Sequence, residues 1–448
     1  MNMTEQDAKY LRMTTEPVPR LILEMAVPTI LSMLVTNLYN LADTFFIGQT
    51  NTQSTAALGV VFPFMSLIQA VSFFFGHGSG NYISRQLGAR QPGNATTMAV
   101  SGLVYSMAVI AVAAILGLLF CDPVLMAMGS TGTILPYARP YFIYILLGAP
   151  FISGSFVLNN QMRLQGNASL AMVGILSGAL LNIVLDPVFI FGLGMGVSGA
   201  GLATFISQAV CFGIMLKMSF LSGGVGIHLK EFRLSSSILK EITAGGLPSL
   251  FRQGLMAVST MCLNLCASLY GDSSVAAFSI VGRVVGFALA IIIGFGQGFQ
   301  PVCGFNFGAQ AFGRVRKGFR FSTLSGLVYC LAIAVLGLVF APQIIGIFRA
   351  DDAEVIRVGT LALRWQCATF PALAPVIMTN MFLQTTRQTV PAVIVALARQ
   401  GLFLIPAVLV GTFFYGLDGL ILAQSVSDVC SLVLVVPLAV HGLRAMGE

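Results

Sequence analysis

Two aspartates, Asp43 and Asp186, stand in stretches of the chain that are otherwise apolar. An ionised carboxylate in such surroundings is costly unless it is paired or hydrated, so each is a candidate functional group, with a hydrated residue at a membrane edge as the alternative. Asn182 precedes Asp186 by four residues, which places its amide on the same helical face. Two carboxylates from different helices can bind Na⁺ through hard oxygen ligands or share protons, and the residues leave both possibilities open.

The elements that must position these groups are membrane-spanning helices. Of the 448 residues, 56% are hydrophobic and 9% are charged, with a mean hydropathy of +0.89, whereas a soluble domain carries about 25% charged residues. Apolar stretches of about 18 residues or more, long enough to cross a hydrocarbon core of about 30 Å, recur along the chain. They predict twelve spans, near residues 21–47, 56–80, 95–120, 137–159, 168–192, 198–219, 244–270, 275–300, 321–341, 358–383, 390–414 and 418–440.

The same composition argues against several other classes of protein. The formal charge of +7 comes from basic residues in short loops, without a basic stripe that interleaves aromatics, so nucleic-acid binding is not expected. Eight scattered cysteines form neither a disulfide framework nor a metal-binding spacing. The chain contains no Walker A sequence, and no nucleophile or metal cluster with suitable spacing, so we expect neither direct ATP drive, nor an enzyme, nor a bound cofactor.

The basic residues are distributed unevenly between the alternate loops. One set of loops, together with both termini, carries most of them and includes Arg85 and Arg163, whereas the other set holds only Arg139, Arg349 and Arg357. Twelve spans, an even number, place the two termini on the same side of the membrane. Because cytoplasmic loops are enriched in Lys and Arg, this side is expected to be the cytoplasm.

The sequence contains an internal repeat, in which matching residues are about 220 positions apart. This offset is called the repeat spacing below. Pro28 matches Pro248, and the Phe75-Gly76-x-Gly78 pattern matches Phe295-Gly296-x-Gly298; later, Leu164-Gln165 pairs with Leu383-Gln384 and Gly201-Leu202 with Gly419-Leu420. The fold class expected is therefore an all-α polytopic membrane protein with two six-helix lobes related by a pseudo-twofold axis along the membrane normal. The domains expected are a cytoplasmic N-terminal tail (1–20), an N-lobe (21–220), a cytoplasmic linker (221–243), a C-lobe (244–440) and a cytoplasmic tail (441–448).

Several motifs together resemble the MATE family of multidrug and toxin extrusion transporters, and most closely its bacterial MepA-type branch. They are Pro28 followed by Asp43, the segment from Phe75-Gly76-His77-Gly78 to Arg85-Gln86-Leu87-Gly88-Ala89, Leu164-Gln165-Gly166, Asn182-x-x-x-Asp186-Pro187, and Gly199-Ala200-Gly201-x-Ala203-Thr204. The resemblance covers nearly the whole chain. It implies a cation-driven antiporter in a bacterial inner membrane that exports bulky cationic and aromatic small molecules, and we expect it to act as a monomer.

The resemblance also implies a coupling site for H⁺ or Na⁺ in the N-lobe. It carries this site onto Asp43, Asn182, Asp186 and Thr204, with Tyr141 as a less certain neighbour. Some branches of the family carry a further acidic site in spans seven and ten. Here those spans offer Arg252-Gln253 and Arg364-Trp365-Gln366, which puts an ion site in the C-lobe in doubt.

Basic residues in the C-terminal half keep one alternative function open. Arg252, Arg283, Arg364 and Arg399 lie in or at the ends of spans, and a basic cleft suits a flippase that carries lipid-linked sugars. Asp428 in span twelve is an available partner for Arg399, and a structural ion pair is favoured over a second coupling site. His77 is predicted to pack at a helix end rather than to titrate.

Overall fold

The computed structural model describes residues 5–221, 225–348 and 352–446, and these residues are almost entirely helical. Arg349, the extreme ends of the two predicted tails and residues 222–224 of the predicted linker lie outside the described residues. The helices are α1 (Glu5–Thr15), α2 (Val18–Gly48), α3 (Thr52–Gly88), α4 (Pro92–Leu119), α5 (Cys121–Ala127), α6 (Leu135–Leu164), α7 (Ala168–Pro187), α8 (Val197–Leu221), α9 (Ser236–Ser268), α10 (Asp272–Gly308), α11 (Phe312–Phe348), α12 (Ala353–Thr369), α13 (Leu373–Thr385), α14 (Thr389–Leu397) and α15 (Leu404–Arg444).

Helices of membrane-spanning length follow one another along the described chain. Ten helical stretches are long and apolar enough to cross a membrane, and the last of them, Thr389–Arg444, has 56 residues. This stretch is broken at Gly416, whose φ of 61° interrupts α15 and separates two spans. The 33-residue helix α9 is less apolar because it carries Lys240, Glu241 and Arg252. The predicted all-α, twelve-span fold class is therefore confirmed.

Several helices extend further than the hydropathy predicts. Helix α3 runs on to Gly88 and α6 to Leu164, so that Arg85 and Arg163 belong to helices rather than to loops. The Arg163 side chain is 1% exposed. The interpretation of Arg163 as a cation in a loop was wrong. Hydropathy does not reveal that polar side chains inside the protein form hydrogen bonds with this guanidinium.

The chain divides into two compact units. Unit 1 comprises Met1–Glu16 and Leu31–Leu250, and unit 2 comprises Pro17–Ile30 and Phe251–Glu448. Helix α2 therefore starts in unit 2 and ends in unit 1, whereas α9 starts in unit 1 and ends in unit 2. The division of the sequence at the linker remains a prediction.

Backbone details recur in the two units at the repeat spacing. Arg90 and Gln310, separated by the same offset as Pro28 and Pro248, share the same positive φ of 57°. Each follows a long helix whose end is closed in the same way, since the Gln91 and Ala311 N–H groups each donate to the carbonyl five residues earlier, at 2.8 Å. Such capping satisfies carbonyls that the last helical turn leaves without partners. The two copies thus share local geometry as well as composition.

The structure also corrects the register of the later part of the repeat. Positive φ angles occur at Gly196 and Gly416, again one repeat spacing apart, and at Gly166 and Arg387. The residue equivalent to Gly419 is therefore Gly199, not Gly201. The pairing of Leu164-Gln165 with Leu383-Gln384 is likewise displaced, because matching small or common side chains by identity does not fix a register.

Candidate functional site

The two aspartates lie in unit 1 and are both buried. Asp43, in the last third of α2, is 7% exposed, and Asp186, next to the last residue of α7, is fully buried. The two carboxylates are close enough for their negative charges to repel each other. Their burial argues against the alternative that they are hydrated residues at the edge of a membrane.

Asp186 lies where the regular helix gives way to a wider turn. Pro187 ends α7 and cannot donate a backbone hydrogen bond, and a π-helical segment, Val188–Gly192, follows it directly. The wider winding is closed by the Leu193 N–H, which donates to the Val188 carbonyl at 2.9 Å. Single π-helical turns occur frequently at functional sites, because they redirect side chains at small cost to the helix.

Glycines bring α8 close enough for Thr204 to reach this region. A Cβ at Gly199 would lie 2.7 Å from the Phe189 carbonyl carbon, and a Cβ at Gly201 would lie 3.2 Å from the Tyr141 carbonyl oxygen. Only glycine permits the first of these approaches, which sets α8 against the π-helical segment. The close packing explains the Gly199-x-Gly201 pattern and places Thr204 one turn further along.

The polar groups of the site are connected through Asn182. Its Nδ2 donates to Asp186 Oδ1 at 3.3 Å and reaches Thr204 Oγ1 at 3.5 Å. Three further oxygens are buried without a hydrogen-bond partner among the described residues, namely Asp43 Oδ1, Asn182 Oδ1 and Asp186 Oδ2. Buried polar atoms are rarely left unsatisfied, so this set of oxygens has room for a donor or a cation.

Two tyrosines complete the surroundings of the carboxylates. Tyr141 is fully buried, its hydroxyl lies 3.8 Å from Met65 Sδ, and it lies within range of the negative charges of both aspartates. Tyr39 also lies within range of these two charges. Sequence reasoning missed Tyr39, although its position one helical turn before Asp43 was a usable signal. The structure thus gathers all five predicted residues and adds a sixth.

The residues present suit an alkali cation better than a transition metal. No group of three His, Cys, Asp or Glu side chains that could hold a metal ion occurs in the described ranges. Two carboxylates, an amide oxygen and a hydroxyl are hard oxygen donors of the kind that bind Na⁺, and the carboxylates alone could instead hold a proton.

Unit 2 contains the buried ion pair that the sequence predicted. Arg399 Nε lies 2.7 Å from Asp428 Oδ1, and the carboxylate also accepts hydrogen bonds from Gln424 at 3.1 Å and Thr369 at 3.5 Å. Arg399 belongs to a second π-helical segment, Ala398–Phe403. The pairing neutralises one of the four arginines that favoured a basic cleft.

His77 lies inside α3 rather than at a helix end as predicted, and it has a structural role there. Its Nε2 lies 3.2 Å from Arg163 Nη2, and its Nδ1 lies 3.0 Å from Ser249 Oγ. Because a guanidinium can only donate, Nε2 must accept, and the proton of the neutral ring is on Nδ1, which donates to Ser249. Asn160 Oδ1 accepts a further bond from Arg163 at 2.7 Å.

Duplicated membrane helices with buried acidic residues are typical of membrane transporters. The family model described as MatE matches residues 28–188 and 248–409, so the two matched segments begin one repeat spacing apart. The chain belongs to this family, as its resemblance indicated.

Proteins similar over nearly their whole length support this membership. The multidrug export protein MepA of Staphylococcus aureus is 27% identical over 432 residues, which cover 95% of each chain. Two solved structures each have a TM-score of 0.92, 26% identity and full coverage of both chains. One is an outward-facing multidrug resistance MATE family transporter, and the other is a MOP superfamily transporter from Pyrococcus furiosus.

Proposed function

We propose that the chain is a secondary multidrug exporter that expels bulky cationic and aromatic compounds in exchange for H⁺ or Na⁺. Family membership and similarity to a staphylococcal multidrug export protein support export of small molecules. The observation that carries the antiport part of the proposal is the pair of buried aspartates with unpartnered oxygens around them. We further propose a monomer in a bacterial inner membrane with both termini in the cytoplasm.

In the proposed mechanism, Asp43, Asn182, Asp186 and Thr204 form the coupling site. A bound cation or proton supplies positive charge that offsets two carboxylates in surroundings of low polarity. Asn182 holds the Asp186 carboxylate in place through its 3.3 Å hydrogen bond, and the buried ring of Tyr141 lies beside the site. Occupancy drives alternating access only if the ion has different affinities for the two conformations.

The proposed substrates follow from the side chains available to bind them. The chain contains 34 Phe and 20 Met residues. Aromatic faces attract cations, and flexible Met side chains adapt to ligands of different shape, so both suit promiscuous recognition.

Transport by everted membrane vesicles tests the proposal directly. Cationic dyes are supplied outside, and uptake is driven separately by a Na⁺ gradient and by a pH gradient. Wild-type vesicles should accumulate dye with at least one gradient, whereas Asp43→Asn and Asp186→Asn should each reduce accumulation to background at equal expression. Asp272→Asn, an exposed aspartate at the start of α10, is the matched control and should transport normally.

Two results would contradict the proposal. Normal transport by either buried-site variant would remove that carboxylate from the coupling site. Failure of both gradients with several cationic dyes would favour the flippase alternative.

A further inference from the structure

Three cations lie together at the beginning of α11, in unit 2. Arg316, Lys317 and Arg320 are all exposed. The part of the chain that the structure describes places no carboxylate against them, and Arg316 Nη2 makes one polar contact, at 3.4 Å to the Leu443 carbonyl oxygen. Like charges this close repel one another, so an anion would stabilise the arrangement.

The three cations line an open cavity at the surface of unit 2. The cavity has a volume of about 430 Å³, and Pro19, Gly313 and Phe321 form the rest of its wall. Gly318 allows α11 to approach the start of α2 closely. A Cβ at this position would lie 3.2 Å from Val18 Cγ1 and 3.2 Å from the Phe299 ring. The first turns of α2 and α11 are therefore packed closely, and the cations project from a fixed base.

The fold itself does not require positive charge at this position. In unit 1, the residues one repeat spacing earlier have the same local backbone, but Arg316, Lys317 and Arg320 correspond to Thr96, Thr97 and Val100. A neutral sequence thus forms the same helix start. Formation of the helix therefore does not explain the three positive charges in unit 2.

We propose that this cavity binds the phosphate headgroup of an anionic phospholipid. Arginine donors match phosphate oxygens with paired N–H groups, and Lys317 adds a compact charge. The span predicted from hydropathy begins at Phe321 in α11, so the apolar wall of Phe321 and Pro19 is placed to meet the glycerol and upper acyl region. Basic pockets between transmembrane helices on the cytoplasmic side are suited to anionic headgroups.

Lipid binding to the purified full-length chain provides the test. Native mass spectrometry would follow titration with dioctanoyl-phosphatidylglycerol, and separately with dioctanoyl-phosphatidylcholine. The triple variant Arg316→Gln/Lys317→Gln/Arg320→Gln should bind the anionic lipid about tenfold or more weakly than wild type, while its weak binding of phosphatidylcholine should not change. These side chains are exposed, and the melting temperature in detergent verifies that the variant is folded.

The matched control removes the same charge elsewhere. Lys230→Gln/Arg233→Gln/Lys240→Gln neutralises three exposed cations of unit 1 and should leave binding of the anionic lipid unchanged. Equal affinities of wild type and the α11 variant, or an equal loss in the control, would overturn the proposal. Displacement of the lipid by an equal concentration of inorganic phosphate would show a general anion site and would also overturn it.

Discussion

At the scale of single residues, the acidic site is defined by oxygens that need a partner. Asp43 Oδ1, Asn182 Oδ1 and Asp186 Oδ2 are buried, and each such unsatisfied atom costs about 1–3 kcal/mol. A cation bound between the aspartates would be held by carboxylate and amide oxygens alike. A proton on Asp186 can satisfy Asn182 Oδ1 by donation but leaves Asp43 to be protonated separately. Substitution of the amide or the hydroxyl therefore distinguishes coupling to a cation from coupling to a proton more directly than substitution of the carboxylates does.

The first prediction concerns the Thr204 hydroxyl. Thr204→Val preserves the shape of the side chain but removes the oxygen that faces Asn182, so the ion concentration for half-maximal transport should rise by about 2- to 10-fold. Thr204→Ser retains the oxygen and should stay near the wild-type value. Dye uptake by everted vesicles over a range of ion concentrations measures both. An unchanged half-maximal concentration in Thr204→Val would exclude the hydroxyl from the site.

The second prediction concerns the Arg399–Asp428 ion pair. Asp428→Asn leaves the Arg399 guanidinium, only 12% exposed, without its counter-charge and should destabilise the protein by about 3–5 kcal/mol. The double variant Arg399→Met/Asp428→Leu removes both charges and should recover most of the loss. Thermal unfolding in detergent measures this, with exposed Arg357→Gln, which breaks the pair with Glu354, as a control expected to be near neutral. A fully stable Asp428→Asn would mean that the pair is not structurally important.

At the scale of elements, the sequence predicts the helices better than their irregularities. Hydropathy locates the spans because each must cover the thickness of the membrane, and Pro187 marks the bend beside Asp186. The π-helical segments Val188–Gly192 and Ala398–Phe403 could not be predicted, since a π turn uses the same side chains as an α turn. Burial of Arg163 could not be predicted either, because it depends on His77, which is distant in sequence.

The third prediction uses two glycines of α8. Gly199→Ala places a Cβ 2.7 Å from the backbone of Phe189, whereas Gly213→Ala meets no atom within 4 Å. Gly199→Ala should lower stability by about 1–3 kcal/mol and displace Thr204, so that transport falls as well. Gly213→Ala should be neutral or slightly stabilising, because alanine favours the helix. Melting temperatures and dye uptake of the two variants provide the comparison, and equal behaviour would contradict the close approach at Gly199.

At the scale of the whole molecule, the two units share local backbone geometry but differ in their buried acidic groups. The shared helix caps and positive φ angles follow from a common local sequence and recur at the repeat spacing. The acidic site does not recur. With this spacing, Asp43 corresponds to Leu263, and the corrected register places Asp186 opposite Pro406 or Ala407, neither of which is acidic. Unit 2 instead contains Arg399 beside Asp428, so its buried carboxylate is already paired with a positively charged side chain of the same unit. This asymmetry supports coupling through unit 1 alone.

The fourth prediction concerns the orientation of the whole chain in the membrane. The basic residues concentrate in one set of loops, and the rule that such loops stay in the cytoplasm places both termini there. A green fluorescent protein fused after Glu448 should fluoresce, and alkaline phosphatase fused at the same point should be inactive. Phosphatase fused at Gly129, in the turn between α5 and α6, should be active, because an odd number of spans precedes it. The opposite pattern would invert the topology and place the cationic cavity beside α11 on the outer face, where the cytoplasmic enrichment of anionic lipids would no longer favour its occupancy.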